Sequence, residues 1–108
     1  MKTLFIPIVG LSHRPPETRA LLNTLPIDQP LILDPEPDNP YDPSAIKVSV
    51  TNDDHLVHLG YIPASGGKFD TRKCGTHEVL PILQSGSDWS ATLTFSPTGT
   101  PLVKLIVQ

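Results

Sequence analysis

The chain has 108 residues, 38% of them hydrophobic and 18% charged, which suits one small domain spanning 1–108 and leaves no room for a second. Thirteen prolines and seven glycines exclude a helical bundle and point to a mostly β fold. A formal charge of −3 excludes a broad basic surface that grips duplex phosphates without regard to sequence, so any nucleic-acid contact must be local.

Residues Leu4 to Val9 are apolar on both parities, which predicts a first strand with both faces covered, ended by Gly10. The opening Met1-Lys2-Thr3-Leu4-Phe5-Ile6 imitates a signal peptide, yet Pro7 and Gly10 interrupt the run and no small-residue cleavage site follows. The single cysteine, Cys74, excludes an internal disulfide framework. No apolar stretch is long enough to span a bilayer. The expectation is a soluble intracellular protein that makes no membrane contact.

Pro16 and Glu17 predict a short helical turn that buries Leu21 and Leu22. Pro26 and Pro30 bracket a loop, and Leu31 to Leu33 form a short second strand. That strand runs into the densest feature of the chain, Asp34-Pro35-Glu36-Pro37-Asp38-Asn39-Pro40-Tyr41-Asp42-Pro43, with four prolines, three aspartates and one glutamate in ten residues. Each proline restricts the residue before it to extended conformations, so the segment is a stiff polar corner. A stiff corner can hold Asn39, Tyr41 and Asp42 in fixed directions as a recognition site. It can equally be a tight connection with Tyr41 as a lid on the core.

The third strand, Ala45 to Thr51, alternates Ile46, Val48 and Val50 inward with Lys47 and Ser49 outward, so Lys47 faces solvent or ligand. Asn52-Asp53-Asp54 supplies a hairpin turn, and His55 to Ile62 returns as the fourth strand. Gly60 within it predicts a bulge or a close approach of another backbone. Residues 64–75 form a polar loop carrying Lys68, Arg72 and Lys73, the densest cationic patch of the chain. Thr76 is the expected N-cap of one short helix that stops at Gly86, with Pro81 near its start. Ser90 to Phe95 and Leu102 to Val107 complete six strands around the turn Pro97-Thr98-Gly99-Thr100.

Catalytic signatures are missing: the chain has no G-x-S-x-G elbow, no H-E-x-x-H pair and no P-loop, and Cys74 has only His77 near it in sequence. The expectation is a protein that is not an enzyme and takes no cofactor. Cys74 with His77 and His55 with His58 have zinc-like spacing, but His55 and His58 project to opposite faces of a strand, so they read as solvated histidines. Asp34, Glu36 and Asp38 imitate the start of a calcium loop whose remaining positions are wrong. Nucleic-acid binding remains: Tyr41, Tyr61 and His13 offer flat faces on which a base can stack, flanked by Asn39, Asp42 and Lys47.

Glu36-Pro37-Asp38-Asn39-Pro40-Tyr41-Asp42-Pro43-Ser44-Ala45-Ile46-Lys47-Val48, followed by Leu59-Gly60-Tyr61-Ile62-Pro63, closely resembles the HIRAN domain. That module occurs in helicase-linked proteins and as a stand-alone bacterial or phage protein. The flanking Val9-Gly10-Leu11 and Leu80-Pro81-Ile82-Leu83 match it more loosely. The resemblance implies a small OB-like or SH3-like antiparallel barrel of about six strands with one short helix. It also implies recognition of 3′-hydroxyl ends of single-stranded DNA, in repair, replication or phage and host DNA metabolism. A helicase, nuclease or other DNA-processing protein would be the expected partner.

Carried onto this chain, the resemblance makes Tyr41 a stacking face and Asp42 the acceptor of the terminal hydroxyl. Asn39 braces the loop and Tyr61 lies against phosphates. His13 falls where the family has its second stacking aromatic, with Arg14 beside it to stack or to pair with a phosphate. The cation that the family carries soon after G-Y-x-P is replaced by Ala64, with Lys68, Arg72 and Lys73 displaced into the longer loop; Lys68 is the one of these counted among the expected DNA-binding residues. The alternative reading is a protein-interaction or inhibitory module that uses the same rigid corner without DNA.

Overall fold

The structure, a computed structural model, describes residues 1–63 and 75–108. Among these, six strands form two antiparallel sheets. One is ordered β1 (Lys2–Pro7), β6 (Pro101–Val107), β5 (Trp89–Phe95); the other is ordered β2 (Ile32–Pro35), β3 (Ile46–Asn52), β4 (His55–Tyr61). The mostly β class is as expected. The ladders, however, make two three-stranded sheets rather than one closed barrel. Two isolated bridges, Val9 with Tyr61 and Pro30 with Thr92, join the sheets at their margins.

The core lies between the sheets. Ile6, Ile46, Val48, Val50, Leu59, Leu93, Val103 and Leu105 are fully buried there. Each such side chain stabilises the fold by about 2 kcal/mol relative to exposure. The alternation of Ile46, Val48 and Val50 is as the sequence predicts. Ser49 is not outward: it is 1% exposed, because β3 is the central strand of its sheet and both of its faces are covered at that point. The first strand differs in the opposite sense. β1 is an edge strand with Phe5 47% exposed, so only the face carrying Ile6 is sealed.

Among the described residues there are two α-helices rather than the one expected, and a single 3-10 turn at Leu11–His13. The predicted turn at Pro16 is a complete helix, α1 (Pro16–Leu22), which buries Leu22 and leaves Leu21 partly exposed. Proline at its first position loses no intrahelical bond there. In α2 (Thr76–Gln84) the N-cap is Gly75, not Thr76, and Thr76 is buried in the first turn. Pro81 lies inside α2 and not at its start, and Gly86 follows its end at φ 79°.

Two local features position the rest. The β3–β4 hairpin turns at Asp53 (φ 49°) and Asp54 (φ 65°), a left-handed pair that aspartate tolerates in two-residue hairpin loops. Further along, Val48 faces Gly60 and Ser49 faces His58, so Leu59 is the extra residue of a bulge. At Gly60 a Cβ would collide with the Val9 carbonyl oxygen and approach Ile8 Cγ2 to 2.8 Å. The bulge and the close approach expected at Gly60 are therefore both present. That approach lets Val9 and Tyr61 exchange two backbone hydrogen bonds of 2.9 Å, which brings the segment from Gly10 to Arg14 alongside β4.

Candidate nucleic-acid interface

The proline corner is closed at its neck by Glu36 N donating to Ala45 O at 2.9 Å, and inside by Asn39 N to Glu36 O and Ala45 N to Asp42 O, both at 3.0 Å. Asn39 is its internal brace. Its Oδ1 accepts from the backbone N–H of Tyr41 (2.9 Å) and of Asp42 (3.1 Å), and its Nδ2 donates to Glu36 Oε1 at 3.1 Å. The short amide thus supplies the turn bonds that the prolines, lacking N–H groups, cannot. Tyr41 emerges from this frame with its backbone held and its side chain 96% exposed. It is not a lid on the core.

Asp42 Oδ1 accepts from Ser44 N at 2.8 Å. Its Oδ2 takes no hydrogen bond from any described residue, so the carboxylate keeps acceptor capacity. Tyr61 reaches the corner from β4, its hydroxyl donating to the same Glu36 Oε1 at 2.9 Å. Burial alone would raise the pKa of Glu36, but the bonds from Asn39 and Tyr61, with Lys47 and His58 nearby, leave it below the ordinary value. Tyr61 is shifted up, first by its own burial and then by the hydrogen bond its hydroxyl donates to the Glu36 carboxylate, whose charge also opposes a phenolate.

The third wall comes from the chain beside β4. Arg14 Nη1 lies 2.8 Å from His58 Nδ1, and His58 Nε2 lies 2.9 Å from Gly60 O. The His58 ring meets Tyr61 edge to face, with centroids 4.8 Å apart and planes at 88°. His58 is therefore a half-buried, fully engaged ring rather than the solvated histidine expected from the strand pattern; His55 is exposed as expected. With both ring nitrogens occupied, His58 has no lone pair for a metal, and no group of three metal-ligating side chains exists among the described residues. Cys74 and the side chain of His77 lie outside the described residues.

His13, Arg14, Asn39, Tyr41, Asp42 and Tyr61 line one open cleft of about 430 Å³, with Gly10, Ala45 and Ile62 completing the wall. Six of the eight residues proposed from sequence thus meet at one place. Lys47 lies beside this cleft on β3, opposite Tyr61 and Asp34, without lining it. Lys68 falls outside the described residues, as do Arg72 and Lys73. Tyr41 and Tyr61 also border a second recess of about 570 Å³, walled by Pro35, Pro37 and Pro40 with Glu36 and Asp38.

Sequence reasoning missed two side chains that hold this arrangement. Glu36 gathers Asn39 and Tyr61 on one oxygen, and its place in the E-P-x-N-P-Y-D string was the available signal. His58 anchors Arg14 from 44 residues away, a pairing with no trace in local sequence.

No helix among the described residues is long and apolar enough to cross a membrane. No curated protein and no solved structure shows a significant match to the chain. A family model described as HIRAN domain matches residues 1–68, a span that holds the proline corner, the Gly60 bulge and every lining residue of the cleft. With more than half of its length matched, the chain belongs to the HIRAN domain family.

Proposed function

We propose that this protein is a single-domain, non-catalytic module that binds single-stranded DNA and prefers a free 3′ hydroxyl. HIRAN domains are a DNA-binding family, which supports a general nucleic-acid role. The observation that carries the finer reading is the pairing, at one cleft, of a 96% exposed Tyr41 ring with the Asp42 carboxylate. An exposed ring on a braced backbone offers a stacking face to any base without first having to be ordered.

Asp42 supplies the preference for an end. A carboxylate accepts a hydrogen bond from a hydroxyl and repels a phosphate, so the terminus of a strand fits where an internal linkage or a 3′ phosphate does not. Arg14 offers a local cation for the preceding phosphate, which suits a protein of negative net charge. His13 gives a second flat ring at the same cleft.

Fluorescence anisotropy with oligonucleotides that differ only at the 3′ terminus tests this reading. Tighter binding of the 3′-hydroxyl form than of the 3′-phosphate form is expected, with that difference lost in Asp42→Ala. Equal affinity of the unmodified protein for both ends would overturn it.

A further inference from the structure

The contact between Arg14 and His58 has a single consistent protonation state. A guanidinium is charged at every accessible pH and can only donate, so His58 Nδ1, at 2.8 Å from it, must be the bare acceptor nitrogen. The ring proton then sits on Nε2, where it is donated to Gly60 O at 2.9 Å. A second proton on Nδ1 would set two donors and two like charges against each other. The Arg14 contact therefore exists only with a neutral His58.

Gly60 O is a well-fixed anchor for this relay. Gly60 lies in the bulge of β4, packed on Val9 so closely that no side chain fits, and neighbouring Tyr61 is locked to Val9 by two backbone bonds. The relay runs from that backbone through the ring to the guanidinium, which lines the cleft together with Tyr41 and Asp42. We propose that His58 is the positioning residue for Arg14: its neutral Nε2–H form holds the guanidinium at the cleft wall to meet a strand phosphate, and protonation of Nδ1 lets it go. The choice of a strand phosphate as ligand rests on the function proposed above; the relay itself does not.

The surroundings of His58 favour the neutral ring. Burial lowers its pKa most; the Gly60 carbonyl bond opposes this, Arg14 and Lys47 lower it further, and Glu36 from the proline corner raises it. The net shift is downward from 6.5, so the relay is intact at neutral pH and fails only under acid. Tyr61 is the titratable ring packed against it, and α1, which packs on β4, carries Glu17 and Arg19 exposed to solvent.

Adding a charge and releasing a tether predict opposite signs. If His58 served merely as one more cation near the strand, binding would strengthen as it protonates. As the holder of Arg14 it must weaken binding on protonation. His58→Gln separates the two, since an amide can accept from Arg14 and donate to Gly60 O but does not titrate.

The test uses the full chain labelled with 15N and a 3′-hydroxyl oligothymidylate. Long-range 1H–15N correlation spectra of the unliganded protein should show His58 as the Nε2–H tautomer. Anisotropy titrations should show affinity falling about tenfold in Arg14→Ala and in His58→Ala, the loss of one charge-assisted contact. Between about pH 7.5 and about pH 4.5, a window carried well below the ordinary histidine value because the pKa of His58 is shifted down, the unmodified protein should lose affinity relative to His58→Gln. An Nδ1–H tautomer overturns the proposal. So does affinity that rises on acidification relative to His58→Gln, or His58→Ala binding as the unmodified protein does while Arg14→Ala is weak. An Nε2–H tautomer in a protein that binds no oligonucleotide at either pH supports the relay and removes the proposed function instead.

Discussion

The hydroxyl of Tyr61 donates to Glu36 Oε1 at 2.9 Å, tying strand β4 to the proline corner across 25 residues of sequence. Asn39 Nδ2 donates to the same oxygen at 3.1 Å, so a single carboxylate oxygen sets the corner against the sheet. The loop that presents Tyr41 and Asp42 is thus held both by its own turn bonds and by a strand beyond it.

Glu36→Ala removes both bonds and should cost about 1 kcal/mol of stability in urea denaturation, less than is usual for bonds to a charged group because water reaches the site and screens them. The lowered pKa of Glu36 means that the folded state holds this proton less tightly than the unfolded chain. The stabilisation is therefore present above the ordinary value of 4.5 and lost as pH falls through the depressed folded value. Tyr61 has the opposite sign, with its contribution full below 10.0 and lost as pH rises through the elevated folded value. Phenolate absorbance should show the Tyr61 ionisation moving down in Glu36→Ala.

Asn39→Ala strips two backbone N–H groups of their acceptor and Glu36 of a donor. A loss of about 1–2 kcal/mol in thermal or chemical denaturation is expected, in the range of a lost turn or cap side chain. Single-strand affinity should fall further than stability does, because Tyr41 and Asp42 lose their fixed directions. Comparing the midpoint of unfolding with the dissociation constant for one oligonucleotide separates the two effects.

Tyr41→Ala should leave the unfolding midpoint unchanged, since the side chain is 96% exposed and covers nothing. Affinity for a single strand should drop by about 1–3 kcal/mol, the worth of one base stacked on an aromatic ring. Tyr41→Phe should retain nearly all of it. A calorimetric titration of the three proteins with one oligonucleotide checks the order.

Gly60→Ala should be the most damaging of these substitutions. The added carbon meets backbone, at the Val9 carbonyl oxygen, and not the end of a yielding side chain. A loss of about 2–4 kcal/mol is expected from forced displacement in a packed region. The bridge between Val9 and Tyr61 would open with it, so hydrogen exchange at the Tyr61 and Val9 amides should accelerate in the folded protein.

Local sequence carried much of the architecture. The alternation of Ile46, Val48 and Val50 located β3, the Asn52-Asp53-Asp54 run located its hairpin, and Gly60 announced the bulge that the ladder shows. These features depend on periodicity and on backbone conformations that few residues tolerate, and both act over short distances. The stiffness of the loop that bears Tyr41 and Asp42 was legible in the same way, from its prolines. The sequence left the Tyr41 ring open between a recognition face and a lid on the core, and only the structure shows it exposed.

What the tertiary structure decided is which distant groups meet. The string from Leu4 to Val9 could not reveal that β1 would be an edge strand with Phe5 open to solvent, nor could Ser49 reveal that both faces of β3 would be covered. Glu36 with Tyr61, and Arg14 with His58, are polar contacts between segments 25 and 44 residues apart. Neighbouring residues dictate strand, turn and bulge, whereas the partner of a carboxylate or an imidazole is chosen by the packing that brings the proline corner, β4 and the Gly10 segment to one cleft.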